Sequence, residues 1–370
     1  MKVGIRRLDF SLLAPMLLLM GLGLLTLYSA GKNLRPDIWL KQLVFFGMSL
    51  ALLTIISSRS PIQYFRKSLW IYSIGIFLLL LVAFTPMGLK LGAGEGARRW
   101  LGISAFGFNF SFQPSELVKW TTLLFAADFL GKRPTEYIRM PEILVVISAV
   151  LLPIAIIAKQ PDLGMALSFL PILILIPLIK GLNWKWVAAT SVVIGLSIPV
   201  ALKTNLIKSY QIQRVVNFFN QTDNLQGSNY QINQAKIAIG AGGVFGQGLT
   251  GGTQTQLNYL PVKTTDFIFA AWSEERGFFG VLLVTALFGL FLSRILAVSR
   301  DAKTLAESYF CTGAAALLGL NIFVNIAMAI GSLPNKGIVL PFFSYGGSST
   351  ISYFLGIAIV MSAAHRAKVL

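Results

Sequence analysis

The acids best placed to do chemistry in this sequence stand at the starts of apolar segments. Asp266 lies in TTDFIFA, Glu116 and Lys119 in FQPSELVKW, and Asp162 in KQPDLG. None has a histidine or cysteine beside it, because His365 and Cys311 are the only residues of those types. A carboxylate without an imidazole partner can deprotonate a hydroxyl or hold a divalent metal, while Lys and Arg hold an anionic leaving group. The set therefore suits transfer onto a hydroxyl with departure of a phosphate. It does not suit a triad hydrolase.

The segments that carry these residues are membrane-like. The chain is 55% hydrophobic and 12% charged over 370 residues, with a mean hydropathy of +0.72. Apolar runs close to the ~20 residues needed to cross a bilayer recur throughout. They fall at about 10–30, 41–58, 69–86, 115–131, 143–158, 163–180, 185–202, 278–296, 307–332 and 345–364. The expected fold is an all-α integral membrane protein, a single domain over 1–370 built as a polytopic bundle of about ten transmembrane helices. The basic start MKVGIRR precedes an apolar run too long for a signal peptide and reads as a retained anchor.

Lys and Arg density sets the expected orientation. The short connections on the side of the N-terminus carry Arg59, Arg66, Lys67, Lys132, Arg133, Arg139, Arg294, Arg300 and Lys303. That side is expected to be cytoplasmic, as are both termini. The net charge of +17 is then explained by topology and anionic lipid rather than by nucleic acid.

Two long connections, 87–114 and 203–265, fall on the opposite, extracytoplasmic side. Lys203, Lys208, Arg214, Lys236 and Lys263 of the second face only Asp223 and suit an anionic ligand. Within it, NYQINQAKIAIGAGG reads as a short amphipathic helix on the membrane surface, with Ile232, Ala235, Ile237 and Ile239 toward lipid. The glycines that follow include G-x-G-x-x-G at Gly246–Gly251, but no strand precedes it, so a close-packed turn is the better reading.

Asp266, Asp162, Glu116 with Lys119, and the SYGGSS turn at 344–349 all fall at helix starts on that one side. Helix N-termini favour anions and bind phosphates. A continuous helix from Asp266 to Ile295 spans about 45 Å, more than the ~30 Å hydrocarbon core. Glu274, Glu275 and Arg276 are therefore expected at the interface, with Glu274 on the helix face of Asp266. A substrate for this site needs an anionic head on a lipid tail, as in a polyprenyl-pyrophosphate-linked sugar.

RRWLG (98–102), FQPSELVKW (112–120), QPDLG (160–164), YQIQR (210–214), AKIAIGAGG (235–243), GTQTQLNYLP (252–261), TDFIFA (265–270) and LPFFSYGGSS (340–349) occur in this order. Together they resemble the SEDS family of bacterial shape, elongation and division proteins, which includes RodA and FtsW. The resemblance covers most of the chain. It implies a ten-helix bundle that polymerises lipid II into glycan strands outside the cytoplasmic membrane. The growing strand's undecaprenyl pyrophosphate leaves, and the 4-hydroxyl of N-acetylglucosamine attacks.

On that resemblance Asp266 is the catalytic acid, as general base or as ligand of a divalent metal (Mg or Mn). Glu116, Lys119 and Asp162 match family positions, and with Arg98, Arg99, Arg214, Lys236 and Ser344 form the expected substrate-binding set. The sequence departs from the family at Val262 and Thr264, where Glu and His are usual, at Ser111 in place of a basic residue, and at EERG for EELG. GTQTQLNYLP resembles the RodA branch, whereas LPNKGIVLPF leans toward FtsW. Implied partners are a class B penicillin-binding protein, other elongation-complex membrane proteins and the lipid II substrate. A lipid II flippase is the rival from another class, but its path would need polar groups in mid-membrane, where charges here are few.

Overall fold

A computed structural model describes residues 9–85, 88–89, 98–105, 108–133, 139–160, 162–179, 181 and 228–369. The described helices are α1 (Phe10–Gly31), α2 (Ile38–Ser57), α3 (Pro61–Arg66), α4 (Ser68–Phe84), α5 (Pro114–Gly131), α6 (Met140–Lys159), α7 (Leu163–Leu167) and α8 (Leu170–Ile179). After the undescribed residues come α9 (Ser228–Ala241), α10 (Thr253–Gln256), α11 (Ile268–Arg300), α12 (Leu305–Ala329) and α13 (Gly347–Val369). Every expected span falls on helix except 185–202, which lies outside the described residues. Helices α1, α2, α6, α11, α12 and α13 are each long and apolar enough to cross a membrane.

Helix α5 is the centre of the bundle. It is buried on nearly every side, so its polar residues must be partnered. Asp128 near its end accepts from Ser68 and Lys132, each at 2.6 Å. Gly131 lies against the backbone of Ala306, where a larger residue would force α5 and α12 apart. At the same membrane face Asp9 pairs with Lys368 at 2.8 Å, and Arg366 pairs with buried Glu307. The two ends of the described chain thus meet on one face, and α5, α7, α11 and α13 all begin on the other, the site face.

Several features were not expected from the sequence. The first long connection holds a three-stranded antiparallel sheet, with β1 (Gly88–Leu89) paired to β2 (Trp100–Ala105) and β2 to β3 (Phe108–Phe112). Helix α9 forms where the amphipathic pattern predicts it, but Ile232, Ala235 and Ala238 are buried. Its apolar face packs against α11 and α12 rather than against lipid, leaving Ile237 exposed.

The helix that follows Asp266 is not continuous. Gly277 adopts φ 63° and ψ −160°, which breaks α11 into a short site-face piece and a long span. The freed backbone groups are taken by the glycine-rich loop. Gln247 and Gly248 donate to the carbonyls of Glu274 and Glu275, each at 3.0 Å, and Phe278 donates to Gly243 at 2.9 Å. A Cβ on Gly277 would strike Gly246 N and Val244 O, so the approach requires glycine.

Candidate active site

Asp266 lies just before α11, in a turn whose backbone is held from outside. Three successive carbonyls each accept a bond from the neighbouring loop or helix. Tyr345 N donates to Thr264 O at 2.9 Å, Ser344 Oγ to Thr265 O at 2.6 Å, and Asn325 Nδ2 to Asp266 O at 3.0 Å. Asn325 Nδ2 also donates to Ile338 O at 2.7 Å. A backbone bonded at three consecutive residues has little freedom, so the Asp266 side chain leaves it from a fixed origin.

What faces that side chain is the 333–338 turn. Gly337 has φ +67°, and a Cβ built there would lie 3.8 Å from Asp266 Oδ2. The preceding Lys336 puts its carbonyl where a Cβ on Gly164 would be, two residues beyond Asp162. One turn therefore spans from Asp266 to the QPDLG motif and places Lys336 between two acids. Lys336 and Asn325 were missed by the sequence reading. Asn325 carried a signal, since it and Asn321 are polar residues one turn apart in an otherwise apolar span.

Asp162 caps α7 by accepting from Met165 N at 3.1 Å. Its other oxygen lies 3.6 Å from Arg99 Nη1 and 3.5 Å from Gln113 Nε2. Arg99 also donates to Gln160 O at 2.7 Å, so the end of α6, the start of α7 and the sheet are joined at this point. Gln113 is the N-cap of α5, and its N–H donates to Ser348 Oγ at 3.1 Å.

One turn further along α5, Lys119 Nζ pairs with Glu116 Oε2 at 2.6 Å, and both residues are buried. The ammonium also lies 4.8 Å from the centre of the Tyr353 ring, and Tyr353 accepts from Asn321 at 3.1 Å. The three-residue spacing of Glu116 and Lys119 on one helix face brings the two side chains together. They sit beneath the Gln113–Asp162 cluster as a dry, satisfied pair.

The remaining expected residues are placed differently. Ser344 is buried, and its hydroxyl is engaged by Thr265 O and by Leu340 N at 2.9 Å, so it holds backbone rather than facing a ligand. Arg98 donates to Thr85 O at 3.0 Å and anchors the sheet to the end of α4. Lys236 lies over Gly331 at the end of α12. Lys263 is buried, bonded to Thr255 O and to Asn258 Oδ1 at 2.7 Å, and does not face a ligand. Burial holds its ammonium below the usual lysine range, against the pull of Glu274 and Glu275. Arg214 and the 203–227 stretch lie outside the described residues.

Glu274 does not share a helix face with Asp266, because α11 begins only at Ile268. It is fully buried and caps α10, accepting from Gln254 N at 2.7 Å, Thr255 N at 2.9 Å and Thr255 Oγ1 at 2.6 Å. Glu275 accepts from Ser29 Oγ and, at 3.3 Å, from Thr250 N. Both carboxylates are buried within the protein, and the loop's N–H groups offset their desolvation. Among the described residues no three His, Cys, Asp or Glu side chains gather as a metal cage.

Comparisons with known proteins agree with this architecture. Residues 9–369 match the FTSW_RODA_SPOVE family, described as cell cycle protein. The peptidoglycan glycosyltransferase MrdB of Escherichia coli is 35% identical over 371 residues, covering 98% of this chain and 95% of the relative. The probable peptidoglycan glycosyltransferase FtsW of Coxiella burnetii is 33% identical over 95% of this chain and 94% of its own. A chain from a peptidoglycan synthase complex that coordinates polymerization and crosslinking superposes with a TM-score of 0.82 at 29% identity, covering 97% of this chain and 98% of that one. The rod shape determining protein RodA of Thermus thermophilus superposes at 0.71 with 27% identity over 98% of both chains. This chain therefore belongs to the FtsW, RodA and SpoVE family of multi-pass membrane glycosyltransferases.

Proposed function

We propose that this protein polymerises lipid II into peptidoglycan glycan strands, with Asp266 as the general base. The observation that carries the reading is the fixed Asp266 turn, held by Tyr345, Ser344 and Asn325 and faced by the Lys336–Gly337 turn. In the proposed step, Asp266 takes the proton of the N-acetylglucosamine 4-hydroxyl as that oxygen bonds to the anomeric carbon of the growing strand. The bond from that carbon to undecaprenyl pyrophosphate breaks, and the pyrophosphate leaves with the electron pair. Among the described residues, Arg99, Lys336 and Lys236 are assigned to the pyrophosphate groups. In the alternative role Asp266 would hold a magnesium or manganese ion, which would supply charge neutralisation at the pyrophosphate.

The site face is proposed to be extracytoplasmic, which puts both termini in the cytoplasm. Cys311 is buried and gives little background, so single cysteines replacing Ser228 and Arg139 report the orientation. An impermeant thiol reagent should label the first from outside and the second only from inside. The opposite pattern would remove the substrate from the site.

A class B penicillin-binding protein is the proposed partner, and the likeness to a chain of a peptidoglycan synthase complex supports it. GTQTQLNYLP favours the elongation branch. Purified protein given lipid II should form strands, faster with the partner transpeptidase than alone. In a rod-shaped host lacking RodA, the gene should restore rod shape. Rescue of division instead would assign it to the FtsW branch.

A further inference from the structure

The glycine-rich loop carries an apolar tip that neither the proposed reaction nor the bundle core uses. Phe245 is 81% exposed, Val244 and Leu249 are exposed beside it, and no charged residue occurs between Lys236 and Lys263. The Phe245 ring lies 5.5 Å from that of Phe279, and Phe278 and Phe279 are themselves exposed at the head of the long piece of α11. Exposed residues then continue down the same helix through Leu282, Leu283 and Leu290. In a membrane span that continuous strip faces lipid, and the loop tip extends it.

Depth follows from helix rise. From Phe278 to Arg300 is about 33 Å at 1.5 Å per residue, close to the ~30 Å hydrocarbon thickness. With Arg300 and Asp301 at one surface, Phe278 and Phe279 come at the opposite boundary, and Phe245 is stacked at the same level. Aromatic side chains collect at that boundary. Arg276, two residues above Phe278, lies over the Trp272 ring at 5.8 Å, which suits a cation at the headgroup level.

Irregular backbone is costly near lipid unless its polar groups are paired. Here many of them are paired, by bonds within the loop and to the head of α11. Gly242, Gly243 and Gly246 donate to Ala238, Gly240 and Gly242, while Gln247 and Gly248 donate to Glu274 and Glu275. The carbonyls of Gly243 and Val244 accept from Phe278 and Phe279. The loop is thus a tied unit whose outward side is apolar.

We propose that the 242–252 loop is a membrane-inserting anchor, with Val244, Phe245 and Leu249 seated among the acyl chains of the leaflet on the site face. The occupant of this surface is lipid. The loop is bonded to Glu274 and Glu275 of the same helix head that Asp266 precedes, so its insertion fixes the height of Asp266 above that leaflet. This inference does not depend on which reaction the site performs.

The test is nitroxide accessibility in the full chain reconstituted in phosphatidylglycerol and phosphatidylethanolamine vesicles. Labels go on Phe245→Cys and, should that variant misfold, on Val244→Cys. Leu290→Cys serves as the lipid reference and Lys303→Cys as the water reference. Insertion predicts an oxygen-to-nickel collision ratio at 245 or 244 close to that at 290 and well above that at 303. A ratio matching 303 would place the loop in water and overturn the proposal. Low collision with both reagents would mean that another protein surface covers it, and would overturn it equally.

Discussion

Asn325 on α12 donates from one amide nitrogen to the carbonyls of both Asp266 and Ile338, at 3.0 and 2.7 Å. A single buried side chain thereby ties the turn that carries the proposed base to the turn that carries Lys336. Neither carbonyl has a helix partner for this purpose. The spacing between the two turns depends on residue 325 being able to donate.

Asn325→Leu fills similar volume and removes the donor. Turnover should fall about tenfold, the rate equivalent of ~1.4 kcal/mol, in line with the worth of a buried hydrogen bond. Lipid II affinity should change little, because Asn325 acts through Asp266. Strand synthesis rate and lipid II binding, measured on the same preparation, separate the two. An unchanged rate would show that the tie is not needed.

The Glu116–Lys119 pair is buried, so breaking it leaves an uncompensated charge, at a cost of ~3–5 kcal/mol. Glu116→Gln and Lys119→Met should each lower thermal stability in detergent and lower activity. The exchange Glu116→Lys with Lys119→Glu should recover more than either single charge reversal. It should not recover fully, because the ammonium leaves its place over Tyr353. Equal loss in the exchange and the reversals would mean that the residues act separately.

Gly277→Ala asks an L-residue to adopt φ 63° against the backbone of Gly246 and Val244. Strain of that kind costs ~1–3 kcal/mol before any clash is counted. On the same helix Gly289 has open space around it, so Gly289→Ala should be neutral or slightly stabilising. Melting midpoints of the two variants in detergent should separate clearly. Coincident midpoints would contradict the locked loop.

Much of the bundle was legible because hydropathy reports crossing length directly. The Glu116–Lys119 pair was legible too, since a three-residue spacing on a helix implies contact. Glu274 was not. Its partners are the backbone N–H groups of residues 254 and 255 and the Thr255 hydroxyl, in a loop about twenty residues away that no local spacing connects to it. Helix α9 shows a different limit. The sequence offers Ile232, Ala235, Ile237 and Ile239 as an apolar face, but lipid and a neighbouring helix satisfy such a face equally well, and the structure buries Ile232, Ala235 and Ala238 instead. Ser344 entered the expected substrate-binding set through the SYGGSS motif, yet its hydroxyl is engaged by Thr265 O and Leu340 N.

The most direct measurement is strand formation from lipid II by the Asp266→Asn protein in detergent, where no leaflet exists and flipping has no meaning. Asparagine keeps the shape and hydrogen bonding of the side chain but cannot accept the proton. Wild type with its partner transpeptidase should make polymer. The variant should insert normally, bind partner and lipid II, and lose synthesis by at least ~10²-fold, the lower end of a general base's contribution. Polymerisation by the variant at the wild-type rate, or none by wild type even with its partner, would contradict the assignment of Asp266.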